Sequence, residues 1–151
     1  MKLEDVLKTT RFNDEKHKAG LNILYTAYWM KSNFSTVLKE TGISSEQFNV
    51  MRILKGKHPE QMCVKDIASR MIEKNSNVPR IVDKLVLKKL VKRSTSKQDK
   101  RETIMALTEK GLQTLDKANK IMDEISANII GISNEEAKLL NELIEKMRNT
   151  D

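Results

Sequence analysis

The chain has 151 residues, 38% of them hydrophobic and 32% charged, the balance of a soluble globular protein and not of a disordered or fibrous one. No apolar run approaches the roughly 18 residues of a membrane span. The opening MKLEDVLKTT lacks the apolar stretch of a signal peptide, so a cytoplasmic protein with no membrane partner is expected. Cys63 is the single cysteine, which rules out an internal disulfide and cannot by itself build a cysteine-based zinc site.

The net charge of +7 is unevenly placed. Between Lys65 and Arg101 the sequence carries twelve Lys and Arg against four acids, a local charge of +8 that leaves the remainder at −1. This concentration favours a polyanionic partner over a uniformly solvated surface.

Over 14–40, apolar residues recur at Leu21, Leu24, Tyr28, Phe34 and Leu38, close to a 3.6-residue period, with Gly42 as a stop signal. A long amphipathic helix is expected there. Ser44-Ser-Glu-Gln47 has the spacing of a capping box, opening a second helix whose buried stripe is Phe48, Met51 and Leu54 or Val50, ended by Gly56 and Pro59. A short helix over 64–71 turns Ile67, Ala68 and Met71 inward. A further helix runs to about Lys89 with Val78, Ile81, Val82, Leu85 and Val86 inward. Pro79 is tolerated only in a first turn, so this helix begins near 75–77. Two helices joined by a turn of a few residues have the dimensions of a helix-turn-helix.

After Leu90 the pattern changes. LVKRST (90–95) and ETIMAL (102–107), separated by the polar SKQDKR, read as a β-hairpin with a charged tip. Thr108 is a candidate N-cap for a helix with Leu112, Leu115, Met122, Ile125 and Ile129 on one face, up to Gly131. Ser133-Asn-Glu-Glu136 is a second capping box, opening a last helix striped by Ala137, Leu140, Ile144 and Met147.

The stretches L85-V-L-K-K-L-V-K-R93, Asp99-Lys-Arg101 and Leu107-Thr-Glu-Lys-Gly111 together resemble the MarR family of bacterial winged helix-turn-helix regulators, over almost the whole chain. Lys89 departs from the pattern, standing where the family usually has a helix-ending Gly. The resemblance implies a mainly α fold: a winged lobe over about 44–107 with a short β-hairpin wing, and N- and C-terminal helices (14–40 and 108–149) that interlock with those of a second copy. One domain then spans 1–151. The function implied is a sequence-specific DNA-binding transcriptional regulator, a repressor of pseudo-palindromic operators relieved by a small-molecule effector. Apolar stripes on the terminal helices independently call for a partner surface, so a homodimer is expected.

The first turns of the second helix of a helix-turn-helix reach base edges, which singles out Ser76, Asn77 and Arg80, with Lys84 one turn further on the same face. Asn pairs bidentately with adenine and Arg with guanine, whereas capping is the competing role for 75–77. Lys65 and Arg70 are candidates for phosphate contact or for plain solvation. At the hairpin, Lys97, Lys100 and Arg101 resemble the family residues that approach the minor groove and backbone, and Asp99 matches the acid that orients the wing.

Catalysis is not expected. His17 and His58 are far apart, no Gly-rich phosphate cradle is present, and no cofactor or metal site can be assembled. His17, Tyr25, Tyr28 and Trp29 are candidates for core, for dimer interface, or for a pocket of the kind in which MarR relatives hold aromatic or phenolic effectors. Cys63 sits beside Val64 in a candidate buried strand, away from the first helix where thiol-sensing relatives usually place theirs. A different reading of the same chain is a winged-helix module that binds protein and carries its basic face incidentally.

Overall fold

A computed structural model describes residues 1–96 and 100–149. In chain order the elements are α1 (Leu3–Leu7), α2 (Glu15–Leu38), a 3-10 turn (Lys39–Thr41), α3 (Ser45–Lys57), β1 (Met62–Cys63), α4 (Val64–Arg70), α5 (Val78–Leu87), β2 (Val91–Thr95), β3 (Thr103–Leu107), α6 (Glu109–Ile129) and α7 (Asn134–Arg148). The chain is mainly helical, with one three-stranded antiparallel sheet in the order β1-β3-β2. Among the described residues no helix is long and apolar enough to cross a membrane.

Local sequence sets most of these boundaries. Asp14 accepts a hydrogen bond from the His17 N–H (2.7 Å) and starts α2. Both capping boxes form: Ser44 with Gln47, and Ser133 with Glu136. Asn77 caps α5 by accepting from the Arg80 N–H (3.1 Å), so Pro79 falls in the first turn, where no intrahelical donor is lost. Gly42, at φ +73°, makes the left-handed turn after α2. Three details depart from expectation. A short helix, α1, precedes α2. The end of α2 tightens into a 3-10 turn. Helix α3 runs through Gly56 to Lys57, because a Gly inside a last turn needs no unusual φ and only the His58-Pro59 step breaks the ladder.

The core lies where α3, α4 and α5 meet the sheet and α6. Val50, Met51, Leu54, Ile67, Val82, Leu85, Met105 and Leu115 are fully buried. Helix α2 packs across α6 but buries only Leu38; Leu24 and Tyr28 stay 69% exposed. Helix α7 buries nothing, and Leu139, Leu140, Leu143 and Met147 are all exposed. The leucines of α7, and Leu24 and Tyr28 of the α2 stripe, therefore find no cover within one chain.

The joint between α5 and the sheet is tight. Lys89 takes φ +61°, and the Leu90 N–H donates to the Leu85 carbonyl (3.0 Å) while the Lys89 N–H donates to that of Val86 (2.9 Å), a Schellman ending with Leu85 and Leu90 both buried. Lys89, at the position where the sequence pattern leads to the expectation of Gly, takes the left-handed ending itself. The Leu90 carbonyl then accepts from the Thr108 N–H (3.1 Å) at the start of α6.

Candidate nucleic-acid interface

Helix α5 buries Val78, Val82 and Leu85 and half-buries Ile81 and Val86, so its remaining face is directed outward. That face carries Arg80, Asp83, Lys84 and Leu87, all exposed. Arg80 and Lys84, four residues apart, stand one above the other along it. Asn77 is exposed at the helix start but its Oδ1 is engaged as the cap, leaving the amide NH2 for a ligand. Ser76 is half-buried, with its Oγ enclosed and without a hydrogen-bond partner.

Of the other sequence candidates, Lys65 is exposed in the first turn of α4, and Lys100 and Arg101 are exposed in the turn leading into β3. Lys97 and Asp99 lie outside the described residues. The wing strands β2 and β3 pair from Val91 opposite Leu107 to Thr95 opposite Thr103.

Four polar links position the crest, and none was singled out from sequence. Arg93 on β2 donates to the Asp83 carboxylate on α5. Lys88 Nζ donates to the Gly42 carbonyl (2.6 Å) and to Gln47 Oε1 (2.8 Å), joining the end of α5 to the start of α3. Lys31 on α2 pairs with Glu73 in the helix-turn-helix turn (2.6 Å). Asn49 on α3 accepts from the Ile72 N–H (3.1 Å) in that same turn. The signal for the first was present: Asp83 is an acid on an otherwise cationic face, and a cation follows on the adjacent strand. The others depend on elements distant in sequence meeting in space.

Beside the crest runs an open groove of about 730 Å³, lined by Ser44, Glu46, Glu73, Ser76, Arg80 and Lys84 among others. Glu46 is held below the usual carboxylate range first by its own backbone N–H and then by the Ser44 hydroxyl, with Lys31 and Lys84 adding to the effect. Cys63 is half-buried, and its Sγ accepts from the Asp66 N–H (3.4 Å). That N–H lowers the thiol pKa, but burial and the Asp66 and Glu102 carboxylates outweigh it and hold the thiol above its ordinary value. Among the described residues, no group of three or more His, Cys, Asp or Glu could hold a metal ion.

A helix-turn-helix with a capped, cation-crested second helix followed by an antiparallel hairpin defines a winged-helix DNA-binding regulator. Residues 32–118 match the family model of the transcriptional regulators SarA/Rot. The chain is 29% identical over 140 residues to the HTH-type transcriptional regulator YkoM of Bacillus subtilis (strain 168), covering 89% of this chain and 90% of that one. Its fold is similar to that of S. aureus MepR in complex with DNA (TM-score 0.76, 23% identity, 85% of this chain and 94% of that one). It is similar also to the organohalide-sensing regulator RdhR in its 2,4-dichlorophenol-bound form (TM-score 0.78, 21% identity, 90% and 80%). The chain belongs to the SarA/Rot family of transcriptional regulators. Membership in a family of DNA-binding regulators favours DNA over the protein-interaction reading of the basic face.

Proposed function

We propose that two copies of this chain act together in the cytoplasm on double-stranded DNA, repressing transcription from pseudo-palindromic operators, and that a small aromatic or phenolic effector relieves the repression. The role is one of binding, not of catalysis. The observation that carries the DNA reading is the outward face of α5, where Arg80 and Lys84 are exposed while the opposite face is locked into the core by Val78, Val82 and Leu85. A cationic row on a rigid helix suits the major groove, and Asn77 and Arg80 lie at the end that enters first. Ser76 joins them only through its backbone. Lys65, Lys97, Lys100 and Arg101 hold phosphate or the minor groove around this contact, and Asp99 orients the wing.

The exposed leucines of α7, with Leu24 and Tyr28 on α2, support the dimer, since an apolar face of this extent is covered in a stable protein. A twofold axis gives one recognition helix per half-site, about 10 bp apart. For the effector the support is the aromatic group on α2: Tyr25 and Tyr28 have ring centroids 6.4 Å apart and Tyr25 and Trp29 are half-buried, with His17 exposed two turns before them, its ring against Phe12. A ligand seated there between two copies shifts the spacing of their recognition helices.

Binding of Arg80→Ala and Arg101→Ala to operator and to scrambled DNA across a salt series tests the assignment. Arg80→Ala is expected to cost about 1–3 kcal/mol on the operator alone. Arg101→Ala is expected to weaken both DNAs and to flatten the salt dependence by about one unit. Equal loss on both DNAs for Arg80→Ala overturns its base-reading role. A stable monomer in sedimentation at micromolar concentration overturns the dimer. Phenolic compounds that bind the protein and leave operator affinity unchanged overturn the effector mechanism.

A further inference from the structure

Leu87 is 82% exposed on the last turn of α5. At about 100° per residue it falls almost opposite the mean direction of Val78, Val82 and Leu85, between Asp83 and Lys84 on the crest. Three residues around it are otherwise committed. Asp83 is held by Arg93, Lys88 reaches back to Gly42 and Gln47, and Val86 is half-buried. Beyond Lys84, the only side chain that α5 extends outward is therefore apolar, on a crest whose other groups are charged. Core packing does not explain its exposure, since the face that packs is on the other side of the helix.

We propose that Leu87 is a specificity-determining residue that contacts the 5-methyl group of a thymine in the major groove. The inference rests on the DNA-binding reading of α5. The charge of Arg80 and Lys84 brings this crest against a polyanion, and Leu87 is continuous with them at positions i, i+4 and i+7. Base edges in the major groove are rows of hydrogen-bond donors and acceptors, and the thymine methyl is the apolar group among them. An exposed leucine offers those polar edges nothing. Against the methyl it removes apolar surface of both partners from water. Seven residues of helix advance about 10 Å, or about three base pairs, so the thymine lies that far from the base that Arg80 reads.

The test uses the full-length protein and an operator selected from a random duplex pool. Each thymine is replaced in turn by deoxyuridine, which removes the methyl and leaves every hydrogen-bonding group in place. At one position per half-site, about three base pairs from the Arg80 contact, the replacement is expected to weaken wild-type binding about fourfold, the worth of one buried methyl group. Leu87→Ala is expected to bind the thymine operator more weakly and to be indifferent to that same replacement, with an unchanged salt dependence and an unchanged circular dichroism spectrum. If every replacement affects both proteins equally, or if the selected operator has no thymine there, Leu87 does not read a methyl group. If the pool yields no duplex bound better than random DNA, the DNA-binding reading fails and this inference falls with it.

Discussion

Arg93 in the first strand of the wing donates a hydrogen bond to the Asp83 carboxylate on α5, so the two elements proposed to face DNA are joined by an ion pair. The pair also neutralises the one acid on the cationic crest. Its side chains are 44% and 57% exposed, which limits its contribution to fold stability to about 1 kcal/mol or less. Its larger consequence is for binding. Arg93→Gln is expected to weaken operator binding by about 1–2 kcal/mol, because it leaves a bare carboxylate facing phosphates. The melting temperature should change by only a few degrees. Adding Asp83→Asn should recover most of the affinity. If the double variant binds no better than Arg93→Gln alone, neutralisation is not what the pair supplies.

Lys89 ends α5 at φ +61°, a conformation that costs a residue with a Cβ roughly 1–2 kcal/mol. Replacing it with Gly relieves that strain and adds unfolded-state entropy, which offsets part of the gain. Lys89→Gly is therefore expected to stabilise the protein by about 0.5–1 kcal/mol, read as a higher urea midpoint at unchanged m-value. A lower midpoint contradicts the Schellman ending described for this helix.

Gly111 explains in physical terms why the segment after β3 has its form. A Cβ there comes within 2.0 Å of the Leu90 carbonyl oxygen, a backbone atom already fixed by the Thr108 N–H (3.1 Å). The Gly111 N–H itself donates to Thr108 Oγ1 (2.9 Å). Gly111→Ala must push α6 off the end of the recognition helix, and is expected to destabilise by about 2–4 kcal/mol in urea unfolding. Gly56→Ala, where nothing lies within 4 Å of the added Cβ, is the matched control and should be neutral or slightly stabilising.

The Cys63 thiol, held above its ordinary pKa, carries less thiolate at a given pH than a free cysteine. Its reaction with a disulfide reagent at pH 8 is expected to be several-fold slower than that of a cysteine peptide. The rate should keep rising with pH past the point at which the peptide levels off. A reaction faster than the peptide's at pH 7 shows a thiolate-rich site and contradicts the carboxylate-flanked environment.

What the sequence determined by itself were the events decided within three or four residues. Ser44 with Gln47, Ser133 with Glu136, and Asn77 ahead of Pro79 place their helix starts, because a capping side chain and the backbone N–H it satisfies are local neighbours. The basic segment 65–101 and the buried sides of α3 and α5 were legible for the same reason, since helical periodicity is a local code. Only the tertiary structure decided which groups on the outward face are free to act. Arg93 is drawn to Asp83 and Lys88 spans to Gly42, each through contacts between elements set side by side by burial of the shared core. The long stripes of α2 and α7 mark the boundary between the two. Periodicity shows that Leu24, Tyr28, Leu140 and Met147 form apolar faces, but burial energy depends on the surface that meets them, and one folded chain leaves all four exposed.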